Sequence, residues 1–192
     1  NTMIDTLVAF DETIQKSPIL EELHIKEKGY CLMTMHRPQN VDTKENLEKL
    51  LDVITTITRD MKLVFPIHPR TAKNLKKFGL HQHLEQDRGV ILTPPLDYLA
   101  FQKLISDALF VLTDSGGIQE ETTFRKVPCL TLRPNTERPS TIDLGTNELL
   151  PFDTELLKEK ILAIREGRYK KGEIPPKWDG KATERIISSL IK

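Results

Sequence analysis

Five short, continuous apolar runs separated by stretches of helical periodicity leave this chain little choice of fold. The runs are Tyr30-Cys31-Leu32-Met33-Thr34-Met35, Lys62-Leu63-Val64-Phe65-Pro66-Ile67, Val90-Ile91-Leu92, Leu109-Phe110-Val111-Leu112-Thr113 and Pro128-Cys129-Leu130-Thr131-Leu132. They do not alternate apolar with polar residues, so each reads as a strand covered on both faces, as in a parallel sheet. Between them, Leu47, Leu50, Leu51, Ile54 and Ile57 recur at helical spacing after a start near Thr43. A basic helix is expected from about Thr71 to Phe78, another from Asp97 to about Asp107, and one from Gly116 to Phe124. Repeated strand-helix units of this kind predict an α/β protein with a Rossmann-like, doubly wound parallel sheet.

The two ends read differently. Residues 1–17, with Ile4, Leu7, Val8 and Ile14, form a helix leading into the sheet, and Pro175-Pro176-Lys177-Trp178-Asp179 interrupts the chain before a last helix. That helix carries Ile186, Ile187, Leu190 and Ile191 on one face, which must be buried against something. The expected division is therefore a linker helix over 1–17, a central domain over 18–175, and a C-terminal helix over 176–192. With Asn1 first and Met3 too late for an ordinary start, the chain reads as a piece of something longer.

Composition excludes several classes of partner. Lysine plus arginine and aspartate plus glutamate number 28 each, so no general field draws the 192-residue chain to nucleic acid or an anionic membrane. Any anion it binds must be held locally. Cys31 and Cys129 both lie in apolar strands, which suits reduced core thiols and a cytoplasmic protein. No apolar run approaches the roughly 18 residues of a membrane span. His81 and His83, two apart in a polar loop, complete no ligand cluster, so neither a metal nor another cofactor is expected.

The candidate site lies where the strands end. His36-Arg37-Pro38-Gln39-Asn40, His68-Pro69-Arg70-Thr71, Thr93-Pro94-Pro95-Leu96, Asp114-Ser115-Gly116-Gly117 and Arg133 through Arg138 each follow a strand, which places all five polar clusters on the edge where such sheets bind ligands. Within Thr113-Asp114-Ser115-Gly116-Gly117-Ile118-Gln119-Glu120-Glu121, two glycines open a helix directly after a buried strand. This is the local design of a phosphate cradle, because glycine lets the backbone approach and free N–H groups at a helix start face an anion. Glu121 lies about one turn further in, where a carboxylate can accept from two sugar hydroxyls. The plainer alternative is that Asp114 or Ser115 caps the helix and the glycines only make a tight turn.

Taken together, Thr34-x-His36-Arg37-x-x-Asn40, Pro66-x-His68-Pro69, Pro95-Leu96-Asp97-Tyr98-Leu99-x-Phe101, Thr113 through Glu121, Arg133-x-x-Thr136-Glu137-Arg138-Pro139 and Gly145-Thr146-Asn147 resemble, in order and spacing, the non-hydrolysing UDP-N-acetylglucosamine 2-epimerases. The resemblance covers nearly the whole chain. It implies one half of a GT-B-like two-domain fold, the C-terminal UDP-binding domain, with UDP and UDP-N-acetylglucosamine as ligands and a homodimer in the full-length enzyme. It also implies a reaction that eliminates UDP to a 2-acetamidoglucal and returns it to the opposite face, with this half inactive alone.

By the same resemblance, Ser115, Gly116 and Gly117 grip the diphosphate with Arg138 close by, Glu121 holds the ribose hydroxyls, and Phe101 faces the uracil. His36 matches an active-site histidine; its alternative reading is a capping or supporting histidine at a strand end. Arg37 and His68 match positions that in bacterial members contact a second, activating UDP-sugar. The sequence departs from the usual pattern at Gln39, where a glutamate is frequent, and at Lys126, where a glycine is common. Two other readings remain: the donor domain of a GT-B glycosyltransferase, against which the Thr136–Pro139 and His36-Arg37 motifs argue, and a non-catalytic UDP-sugar-binding module.

Overall fold

The computed structural model describes residues 1–191. Its first part runs α1 (Thr2–Gln15), α2 (Ile19–Glu22), β1 (Tyr30–Thr34), α3 (Pro38–Val41), α4 (Lys44–Thr58), β2 (Lys62–Pro66), α5 (Pro69–Lys77), α6 (His81–Gln86) and β3 (Val90–Thr93). The second part runs α7 (Tyr98–Asp107), β4 (Phe110–Thr113), α8 (Gly116–Arg125), β5 (Cys129–Leu132), α9 (Ser140–Asp143), β6 (Asn147–Leu150), α10 (Thr154–Arg165) and α11 (Ala182–Leu190). The strands form one sheet in the order β3-β2-β1-β4-β5-β6, with every pairing parallel. The order reverses between β1 and β4, whose pairing sets Leu32 against Val111 and Thr34 against Thr113. All carboxyl ends therefore share one edge, and the crevice of a doubly wound sheet opens at that reversal.

Alternating residues of the buried strands serve two cores. Cys31, Met33, Phe65 and Leu112 pack with Leu47, Leu50 and Ile54 of α4 and Leu157 and Ile161 of α10. Tyr30, Leu32, Val64 and Val111 pack on the other face with Ile19, Leu104, Ile105 and Ile118. The continuous apolar runs have this cause: both sides of the pleat are covered. Helix starts follow side-chain chemistry, since Thr43 Oγ1 accepts from Asn46 N at 3.2 Å and Asp97 Oδ1 from Ala100 N at 2.9 Å. The thiols of Cys31 and Cys129 are unpaired and buried, and burial raises both pKa values, that of Cys129 to about 11.

α1 lies outside α7 and α8, burying Ile4, Leu7 and Ile14 against Leu99, Phe124 and Trp178. Val8, expected on its apolar face, is instead exposed. α1 also holds the start of α11, because Asp5 accepts from Ala182 N at 3.0 Å and Thr183 N at 2.7 Å. The apolar face of α11 stays open, with Ile186 and Ile187 each 50% exposed and Leu190 and Ile191 each 80%.

The sheet has six strands rather than the five expected. β6 escaped the sequence reading because it is a four-residue edge strand that begins with the polar pair Asn147-Glu148. α10 was also missed, although Asp153 caps it and Leu157, Ile161 and Ile164 mark its buried face. His81 and His83 sit in the short helix α6 rather than in a loop.

Lys126 ends α8 with φ 56° and ψ 32°, a left-handed conformation in which a Cβ costs about 1 kcal/mol. Glycine's greater freedom in the unfolded chain offsets part of the gain from removing that Cβ. Lys126→Gly is expected to raise the unfolding free energy by about 0.5–1 kcal/mol, read as a higher urea midpoint at an unchanged m-value.

Candidate functional site

The site begins with two strands that end side by side. Thr34 and Thr113, the last residues of β1 and β4, share a hydrogen bond of 2.8 Å between their hydroxyls. One residue further, Asp114 is completely buried and turns its carboxylate toward the loop after β1 rather than toward its own helix. It accepts from His36 N at 3.0 Å, Arg37 N at 2.8 Å and Asn40 Nδ2 at 3.2 Å, and lies 3.0 Å from His36 Nδ1. Burial alone would raise its pKa, but the hydrogen bonds from the His36 side chain and from the Arg37 and His36 backbones prevail and hold it below the ordinary carboxylate value.

This arrangement fixes the histidine. With Nδ1 engaged by Asp114, the ring of His36, its side chain 38% exposed, leaves Nε2 free at the sheet edge. Arg37 donates Nε to the Asp114 carbonyl at 2.9 Å and keeps its terminal nitrogens for other partners. Asn40 ties the same loop to β5 through Leu132 O at 3.1 Å. His68 is the residue that caps a helix: its Nδ1 accepts from Arg70 N at 3.1 Å, with the ring centroid 5.3 Å from that of His36. His36, Arg37, His68 and Asp114 thus form one group.

The second group surrounds the start of α8. Neither Asp114 nor Ser115 caps this helix; Ser115 occupies the capping position in extended geometry, and its side chain makes no capping bond. Gly116 and Gly117 do not need left-handed angles, so their bareness has a spatial reason. A Cβ on Gly116 would stand 2.8 Å from Glu137 Oε1, 3.1 Å from Arg138 Nη1 and 3.4 Å from Arg133 Nη1, and one on Gly117 would stand 3.2 Å from Met3 Cε. Two guanidiniums therefore converge on a helix start whose first N–H groups have no side-chain cap.

An ion-pair chain holds them there. Glu137 accepts from Arg133 Nη2 at 2.9 Å and from Arg138 Nη1 at 2.6 Å. Arg138 Nε lies 2.9 Å from Glu120 Oε2 without pointing its N–H at it, and Asn1 Nδ2 donates to Glu120 Oε1 at 2.8 Å. Glu120 is thus the neighbour of Arg138. Behind the loop, Gln119 Oε1 accepts from Thr136 Oγ1 at 2.7 Å and from Asn147 Nδ2 at 3.2 Å, and Asn147 Oδ1 accepts from Thr131 Oγ1 at 2.6 Å. That buried relay anchors residues 133–138 to the sheet.

Glu121 and Phe101 flank the second group on adjoining helices, Phe101 half-buried on α7 and Glu121 buried on α8. Burial pushes the Glu121 carboxyl upward, the Gln102 amide opposes that, and neighbouring Glu120 adds to the rise. Asp114, Arg133 and Gln119 carry much of the geometry, yet sequence reasoning gave them no binding role. In sequence Asp114 reads as a possible cap, and both it and Arg133 stand among the polar strand-end residues and the family motifs without a ligand role of their own. Among the described residues, no group of three histidine, cysteine or acidic side chains is placed to hold a metal, and no helix is long and apolar enough to cross a membrane.

The folded-state pKa of Asp114 lies below that of the unfolded chain. Its contribution to stability is therefore present above about pH 4 and lost as the pH falls through the lower folded value. Asp114→Asn turns one of the two acceptor oxygens into an amide donor that faces other donors. A loss of about 3 kcal/mol is expected at neutral pH, shrinking on acidification, as measured by urea unfolding of both proteins across pH.

Comparison with known proteins points to one family. Residues 1–191 match the family model described as UDP-N-acetylglucosamine 2-epimerase. The UDP-N-acetylglucosamine 2-epimerase of Methanocaldococcus jannaschii is 37% identical over 99% of this chain and 53% of its own length. Its crystal structure in complex with UDP-GlcNAc and UDP superposes with a TM-score of 0.83 at 36% identity, covering 98% of this chain and 53% of that one. The UDP-GlcNAc 2-epimerase of Neisseria meningitidis bound to UDP-GlcNAc gives 0.82 at 28% identity, covering 100% and 54%. The chain spans about half the length of the curated relatives it matches.

Proposed function

Because the chain belongs to the UDP-N-acetylglucosamine 2-epimerase family, we propose that it is the UDP-holding half of a sugar-nucleotide 2-epimerase that interconverts UDP-N-acetylglucosamine and UDP-N-acetylmannosamine. The observation that carries this reading is the uncapped start of α8 at the reversal of strand order, with Gly116 facing Arg133 and Arg138. A helix start, two fixed cations and no intervening Cβ make a seat for a diphosphate.

In this reading Ser115, Gly116, Gly117 and Arg138 hold the diphosphate, Glu121 accepts from the ribose hydroxyls, and Phe101 lies against the uracil. Breaking the anomeric C–O bond leaves charge on the departing UDP, so groups that hold UDP also stabilise the transition state. His36, oriented by Asp114 through Nδ1, presents Nε2 toward that leaving group. Arg37, and His68 after β2, are the candidates for a second UDP-sugar. The groups that move the C2 proton belong to the other half of the enzyme, which lies across the carboxyl edge of the sheet.

The segments 1–17 and 176–192 are read as the parts that adjoin that other half. Support comes from the open apolar face of α11, whose start Asp5 holds in place. The full-length enzyme is proposed to be a cytoplasmic homodimer.

Two measurements test this. Incubated alone with UDP-N-acetylglucosamine, the chain is expected to give no manno product by NMR; sustained turnover would contradict the division of labour. In calorimetry, Glu121→Ala and Arg138→Ala are each expected to weaken UDP binding by about 1–3 kcal/mol. Unchanged affinity in both variants would place the nucleotide elsewhere.

A further inference from the structure

The mouth of α8 contains one group that a phosphate seat should not tolerate. Glu137 places Oε1 2.8 Å from where a Cβ on Gly116 would stand, closer than either guanidinium. Its two oxygens take Arg133 Nη2 at 2.9 Å and Arg138 Nη1 at 2.6 Å. These are the donors a diphosphate requires. Two anions sharing them at contact distance would repel each other, so the carboxylate and the ligand cannot occupy the seat together.

Burial says which partner moves. The Arg133 side chain is 7% exposed and fixed, whereas that of Glu137 is 55% exposed and has solvent to enter. Arg133 Nη1 is moreover buried without any acceptor, although it lies 3.4 Å from the Gly116 Cβ position. A buried N–H of that kind carries a desolvation cost until an oxygen reaches it. The Glu137 carboxylate engages Nη2 and leaves Nη1 empty. A phosphate group offers more oxygens than a carboxylate and can serve both. Glu137 is also anionic at any ordinary pH, since its own backbone N–H and Arg133 hold its pKa down to about 2.

We propose that Glu137 is a resident placeholder for the ligand's phosphate, and that on binding it swings into solvent and leaves Arg133, beside Arg138, as a direct diphosphate ligand. The proposal rests on the nucleotide reading of the α8 mouth. It gives Arg133 and Glu137 opposite roles although they are ion-paired. The placeholder keeps two guanidiniums together in the empty protein, where they would otherwise repel, and it lowers ligand affinity through the exchange.

Calorimetry with UDP and with uridine, on the wild type, Glu137→Gln and Arg133→Gln, tests the proposal. Glu137→Gln is expected to bind UDP roughly tenfold more tightly, since a competing anion is gone, with uridine affinity unchanged. Arg133→Gln is expected to bind UDP at least about tenfold more weakly, again with uridine unchanged, in protein shown to be folded by circular dichroism. Because Glu137 is exposed, its variant keeps the experiment decisive should Arg133→Gln not fold. If the wild type binds UDP and Glu137→Gln binds it equally or more weakly, Glu137 is a brace for the arginines and the exchange is wrong. If the wild type binds UDP no better than uridine, the nucleotide reading itself fails.

Discussion

The structure depends on a buried carboxylate that serves a neighbouring loop. Asp114 follows β4 but turns its oxygens to the segment after β1, receiving two backbone N–H groups, the Asn40 amide and the His36 ring. An ionised group completely out of solvent persists only when so matched. Its satisfaction fixes two things at once: the path of the loop and the face His36 presents. Because Asp114 is committed there, it does not cap α8. The start of α8 stays uncapped because Ser115, which occupies the capping position, makes no capping bond with its side chain.

The same economy recurs in the loop after β5. Gln119, Thr136, Asn147 and Thr131 exchange hydrogen bonds below the surface, so the chain carrying Arg133 and Arg138 is held by neutral groups from behind. The charged groups in front remain available for chemistry. Neutral bonding beneath and ionic bonding above give a platform that keeps its shape while its outer partners change.

Much of this was legible in the chain. The continuous apolar runs announced a sheet covered on both faces, and the strand ends collected the polar residues on one edge, as found. Gly116 and Gly117 marked the helix start, and Lys126 stood out where a glycine is common and takes the left-handed conformation. What escaped notice depends on groups far apart in sequence. Asp114 reads locally as a helix cap, and only the parallel pairing of β1 with β4 brings His36, 78 residues away, within its reach. The Arg133–Glu137 pair was visible as spacing, but nothing local says that both point at Gly116. β6 went unread because an edge strand buried through pairing needs little apolar sequence of its own.

The strand order also has a temporal consequence. β1, β2 and β3 lie consecutively along the chain and can associate early, whereas the second side of β1 stays unpaired until β4 is available. Closing so long a segment carries an entropic cost, and parallel sheets pay it before their long-range contacts form. During synthesis, the nascent half-sheet must therefore wait with the open side of β1 exposed until residues 110–113 are available to cover it.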